Sequence, residues 1–187
     1  MRTGFSIASV LLACGLLSLS TVMVGCSTAP QTAVERDQLV SDSEATASRF
    51  RSEDPRTRSF FDNAYAYVVF PKITQGGVGI AGAYGRGVVY QGGRMVGYAG
   101  MTQGTIGAQI GGMSWSEIIF FENRWAFDKF KSGQFAASAN ASYAGPKQGG
   151  TNALNYAEGV MIFTMDTRGL AVAAAVGGQQ FEYESSE

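Results

Sequence analysis

The chain has 187 residues, a formal net charge of −1 and no histidine. Near-neutrality argues against a nucleic-acid partner, and the missing histidine removes the commonest general base and the commonest metal ligand. Both cysteines, Cys14 and Cys26, fall in the first 26 residues, so the rest of the chain has no thiol for a disulfide or a zinc site.

Residues 1–25 read as an export signal. Arg2 supplies the positive end and an apolar run follows from Phe5 to Val24. Met23-Val24-Gly25-Cys26 then resembles a bacterial lipobox, with Met where Leu is usual, and predicts Cys26 as an acylated mature N-terminus. Leu11-Leu12-Ala13-Cys14 also fits the pattern, but would leave a very short signal and an apolar mature end. An ordinary cleaved signal or an uncleaved anchor is the alternative. Residues 26–33 then form the acylated cysteine and a polar tether, and 34–187 a single domain of ordinary size. Ser27 stands where lipoproteins retained at the inner membrane carry Asp, so the expected place is the outer membrane, with the domain facing the periplasm.

Between Glu35 and Asp62 seven acidic and five basic residues crowd together. Thr32-Ala33-Val34-Glu35 fits a capping box and starts a helix near Ala33, with Val40, Ala47 and Phe50 as a thin apolar stripe. Asp54-Pro55 restarts a second helix that turns Phe60, Phe61 and Ala64 onto a sheet. Arg49, Arg51, Arg56 and Arg58 could form a basic face, but interleaved carboxylates favour an ordinary solvated surface.

The stretch from Tyr65 to Trp115 has no carboxylate, only three cations (Lys72, Arg86, Arg94), and 14 of the chain's 25 glycines. Val78, Ile80 and Tyr84 fall on one parity, and Gly79, Ala81, Ala83 and Gly85 on the other. This predicts several short, curved antiparallel strands, with Gly92-Gly93 as a hairpin turn. Gly77, Gly79, Gly82, Gly85 and Gly87 are expected to be structural, at bulges or close backbone approaches. Gly77, Gly79 and Gly82 also spell G-x-G-x-x-G, but the residues after them alternate like a strand, and no carboxylate follows until Glu117. A dinucleotide site needs a helix there, so no nucleotide or other cofactor is expected.

Ser116 to Glu122 reads as a buried strand, and Asn123 caps a helix from Arg124 to Lys131 that Gly133 stops. Phe135 to Tyr143 alternates again. Asn155 to Met165 and Leu170 to Val176 read as two further strands, and the acidic tail from Glu182 to Glu187 as frayed. The fold class is α+β: a glycine-rich, curved, mainly antiparallel sheet or partly closed barrel, carrying N-terminal helices and one short internal helix.

Several of these pieces, in order, resemble the SYLF domain. They are Ala64-Tyr65-Ala66-Tyr67-Val68-Val69-Phe70-Pro71-Lys72 after the Asp54-Pro55 helix, the run Gly76 to Gly82 with Gly85-Arg86-Gly87, and Gly107-Ala108-Gln109-Ile110-Gly111. The Phe127–Phe130 helix, Ala144-Gly145-Pro146 and Gly169-Leu170 complete the set. Yeast members of that family bind actin and animal members bind phosphoinositides. The resemblance implies a non-catalytic domain that binds acidic phospholipid surfaces. Actin does not carry over to a bacterial envelope.

The lipid reading picks Lys72, Arg86, Arg94 and Lys147 as cations where the chain turns, with glycines beside Arg86 letting a phosphate approach backbone N–H groups. The alternative is an adaptor lipoprotein that binds an envelope protein at a sheet edge. Catalysis lacks machinery. Glu117 and Glu122 lie an odd number of residues apart on one strand and face opposite sides, and Ser138 or Ser142 has only Lys147 as a nearby base.

Overall fold

The computed structural model describes residues 29–137, 156–166, 169–173 and 178–186; within its strands the side chains at 78–80, 105–111 and 169–173 stand outside that description. Helix α1 (Ala33–Glu53) opens with the predicted capping box. The Thr32 hydroxyl accepts from the Glu35 N–H, and the Glu35 carboxylate accepts from the Thr32 N–H, both at 3.2 Å. Its buried face is Ser43, Thr46, Ala47 and Phe50, with Val40 half-buried. Asp54 ends α1 by donating its N–H to the Phe50 carbonyl, while its carboxylate accepts from the Arg56 N–H at 2.9 Å and caps α2 (Arg56–Asn63).

The glycine-rich stretch is not several short strands but two long ones. β1 (Ala66–Gln91) has 26 residues and β2 (Arg94–Phe121) has 28, paired antiparallel along nearly their whole length. A glycine keeps its backbone N–H and C=O, so it weakens a ladder without interrupting it. The predicted turn is present: Gly92 and Gly93 have φ of 57° and 76°, the left-handed pair that a two-residue hairpin matching strand twist requires.

A bulge shifts the register between Phe70 and Ile73. Pro71, with no N–H to donate, sits in it, and the Ser116 hydroxyl donates to the Pro71 carbonyl at 2.7 Å. The extra residue reverses the parity of β1: Ala66, Val68 and Phe70 point into one core before it, and Ile73, Ala83 and Val89 point into the same core after it.

β3 (Val160–Asp166), β4 (Gly169–Ala173) and β5 (Gln179–Ser185) complete a five-stranded antiparallel sheet in the order β1-β2-β3-β4. β3 pairs with the last residues of β2, and β5 pairs with its first ones, Gly97 to Gln103. The expected α+β class therefore holds, and of its two forms the sheet is open. It is strongly bent: a Cβ placed on Gly87 would lie 2.7 Å from the Val69 carbonyl oxygen of the same strand.

Three predicted boundaries change. The acidic tail is not frayed. Phe181 and Tyr183 alternate with Glu182 and Glu184, and Phe181 packs 5.5 Å from the rings of both Phe130 and Phe135. Gln134 to Ala137 is a 3-10 turn rather than the start of a strand. Glu158 (φ 50°) and Gly159 (φ 78°) make a tight turn, so β3 begins at Val160 rather than Asn155. The tether, too, is docked from Ala29, whose N–H donates to the Glu184 carboxylate at 3.1 Å.

Two cores lie on opposite faces of the sheet. One gathers Val68, Phe70, Ile73, Met101, Ile119, Phe121 and Phe181 under α3 (Arg124–Lys131), which buries Ala126, Phe127 and Phe130 as predicted. The Asn123 side chain caps α3 through the Ala126 N–H at 3.0 Å, and Gly133 ends it at φ 71°. The other packs Phe50, Phe60 and Phe61 of α1 and α2 on Val69, Val88, Ile118, Phe120 and Phe163. Burying an aromatic side chain stabilises by about 1.5–3 kcal/mol, so these rings carry a disulfide-free domain.

Candidate functional site

The bulge that reverses β1 also re-aims Lys72. Its exposed side chain borders a shallow groove of about 250 Å³ that Arg49 of α1 enters from the other side. Pro71, Ser114, Trp115 and Ser116 form the floor and wall, and Met165 and Asp166 close the β3 side. Arg49 lies beside the buried face of α1, between Ala47 and Phe50, which brings it to the sheet. No ion pair holds Arg49 or Lys72 among the described residues. Two cations against one groove carboxylate leave the concavity net positive, suited to an anion with oxygen acceptors.

The other arginines of this region are engaged elsewhere. Arg51 lies 3.7 Å over the Phe61 ring, Arg56 pairs with Asp54, and Arg58 donates to the Arg51 carbonyl. The hydrogen bonds from Arg56 hold the Asp54 carboxyl below its usual range. The basic face weighed from sequence thus dissolves into packing and capping, with Arg49 as the exception.

The predicted lipid-binding cations do not form one cluster. Arg86 donates to the Tyr84 hydroxyl. It pairs across the sheet with Gly100, and Gly100 pairs with Glu182. Arg86 and Glu182 therefore face the same side of the sheet across a residue with no side chain, two strand spacings or about 10 Å apart. The sector is free of carboxylates in sequence but not in space, because β5 inserts Glu182 and Glu184 beside it. Arg94 is exposed at the hairpin tip opposite Gln91, five residues or about 17 Å along the ribbon from Arg86. The Lys72 carbonyl approaches within 3.2 Å of a Cβ placed on Gly85, so the Lys72 and Arg86 segments do cross. Lys147 and the acylation candidate Cys26 lie outside the described residues, as do Ser138 and Ser142.

Among the singled-out glycines, Gly85 and Gly87 occupy true close approaches, with Ile73 at 2.7 Å from one Cβ position and Val69 at 2.7 Å from the other. Gly82 has room, its nearest neighbour being the Gln103 carbonyl oxygen at 3.8 Å. Gly77 pairs with Gly111, and Gly79 lies at the register shift between Val78 and Ile80. β1 runs on through all of them to Gln91, so no helix follows the G-x-G-x-x-G run.

Trp115 and Glu117 were not legible as a pair. Glu117 is fully buried on β2, whereas Glu122 is exposed just past its end. One Glu117 oxygen accepts from the Trp115 indole N–H at 3.2 Å and from the Gln179 amide at 3.4 Å. The other oxygen of Glu117 and the amide oxygen of Gln179 are buried with no partner. Burial pushes the Glu117 carboxyl up to about 7, against the lowering effect of its two hydrogen bonds. Among the described residues no group of three or more carboxylates gathers as a metal site, and no helix is long and apolar enough to cross a membrane.

No family model matches the chain. It is similar to beta cell expansion factor A of Aeromonas veronii, with 27% identity over 160 residues. The match covers 81% of this chain and 59% of that protein, so the chain spans about three fifths of the relative's length.

Proposed function

We propose that this is a non-catalytic, lipid-anchored envelope domain that binds the phosphate of acidic phospholipid headgroups in the groove between Arg49 and Lys72. The observation that carries the reading is the convergence of two cations from separate elements, neither in an ion pair, on a groove walled by Ser114, Trp115 and Ser116. The resemblance to the SYLF domain points to the same ligand class, and Cys26 supplies the anchor that keeps the domain at a bilayer. Each cation near an anionic surface contributes about 1 kcal/mol, so two give weak binding that salt screens. Arg86 and Arg94 are secondary, since Glu182 shares the sheet face of one and the hairpin length separates the other.

The test is co-sedimentation of the unlipidated domain, residues 27–187, with phosphatidylglycerol vesicles and with neutral phosphatidylcholine vesicles. Binding to the first, falling as salt rises, supports the reading. Equal binding to both, or to neither, rejects it, and in the second case the adaptor reading takes its place.

A further inference from the structure

Trp115 touches two environments at once. Its indole forms part of the groove wall beside Lys72 and Arg49, and its N–H donates inward to Glu117. Glu117 is held from the far side by Gln179 of β5, a residue that is itself 1% exposed. The remaining oxygens of both side chains are unsatisfied and buried. Two orphaned acceptors cost about 1–3 kcal/mol each, and a proton on the carboxyl would turn one of them into a donor.

From this geometry we infer that Glu117 is a proton-responsive positioning residue, which fixes the Trp115 wall of the groove when ionised and loosens it when it takes up a proton. The ionised carboxylate is a full acceptor for the indole N–H, a charge-assisted bond about twice as strong as a neutral one. The protonated acid accepts more weakly and has its own O–H to place. The switching range lies near neutral pH, because burial raises the carboxyl with no compensating cation. The residues directly opposite Glu117 are Phe70 on β1 and Thr164 on β3, both uncharged. The ionisable groups on the surrounding elements are Lys72 on β1, Asp166 on β3 and Arg49 on α1, all at the groove, and the exposed Glu182 and half-buried Glu184 on β5. None of them figures among the influences on Glu117.

The groove is coupled to this proton by charge as well as by position. An ionised Glu117 behind Trp115 disfavours an anion in front of it, and by linkage an anion favours the protonated form. Anion affinity should therefore be a few-fold higher at pH 6 than at pH 8. This last step rests on the headgroup reading, whereas the motion of Trp115 does not.

The chain has two tryptophans, so Trp125→Phe leaves Trp115 as the sole reporter in the full-length protein. Its fluorescence in a non-ionic detergent should show one transition with a midpoint near 7, and adding Glu117→Gln should abolish it. Gln179→Leu removes a bond that lowers the carboxyl, so it should move the midpoint upward by about half a unit or more. This second variant keeps the test decisive if Glu117→Gln does not fold. A flat parent profile overturns the inference, as does a transition that survives Glu117→Gln or fails to rise with Gln179→Leu. Phosphatidylglycerol vesicles, whose charge is constant over this range, provide the second arm. A pH-dependent affinity that Glu117→Gln makes flat extends the inference to ligand binding. Absence of vesicle binding at either pH, with the fluorescence transition intact, rejects the headgroup reading alone.

Discussion

Gly87→Ala is expected to destabilise the domain, although alanine is the better strand residue. Relative to glycine, alanine gains about 0.5–1 kcal/mol from the smaller entropy of its unfolded backbone. At position 87 that gain is overwhelmed. The new Cβ would meet the Val69 carbonyl oxygen at 2.7 Å and the Phe70 ring at 2.8 and 3.0 Å. The first is backbone and cannot rotate away, and Phe70 is fully buried in the core beside Phe181. Overpacking of this kind costs about 1–3 kcal/mol, which in a domain of this size lowers the melting temperature by roughly 2–4 °C per kcal/mol. Gly82→Ala is the internal control. Its Cβ meets nothing closer than the Gln103 carbonyl oxygen at 3.8 Å, so the entropy gain should stand and the variant should be neutral or slightly more stable. Thermal melts followed by circular dichroism would read both. Equal losses for the two variants, or a stabilised Gly87→Ala, would refute the crossing of β1 over itself.

Other outcomes follow from the same structure. Because Glu117 binds its proton more tightly folded than unfolded, stability should fall as pH rises from about 4.5 to about 7 and level off above, by up to about 3 kcal/mol, in urea titrations across that range. Glu117→Gln should flatten that profile. Phe181→Ala should cost about 3–5 kcal/mol, a loss that a frayed tail would not show in denaturant titrations. Cys26→Ala should leave the protein soluble or with its signal uncleaved in cell fractionation, and normal cleavage with retention at the membrane would refute the anchor.

What the sequence revealed was local. The Thr32–Glu35 capping box, the Asn123 cap, the Gly133 stop and the Gly92-Gly93 turn each depend on a few neighbouring residues, and each is found where the residues predict it. What it concealed depends on distant partners. The alternation along 78–85 has one small and one bulky side, and nothing local says that Ala81 and Ala83 face inward while Tyr84 is exposed. That assignment is set by the bulge at Pro71-Lys72. The tail was hidden by its charge, although Phe181 and Tyr183 keep a period of two that a strand reading would have caught. Arg49 was hidden among interleaved carboxylates. Its position between Ala47 and Phe50 on the helical stripe was the available signal, but only the fold brings that stripe beside Lys72. The carboxylate-free sector failed for the same reason, because β5 comes from the other end of the chain.

The central claim is that one groove, rather than diffuse positive charge, recognises the headgroup. The direct measurement compares two double variants of equal charge change, Arg49→Gln with Lys72→Gln and Arg86→Gln with Arg94→Gln, in phosphatidylglycerol vesicle binding at low salt. Loss of two groove cations at about 1 kcal/mol each predicts roughly a thirtyfold weaker affinity for the first pair, and little change for the second. Equal weakening in both pairs, or an unaltered affinity in the first with the fold intact, would contradict the account.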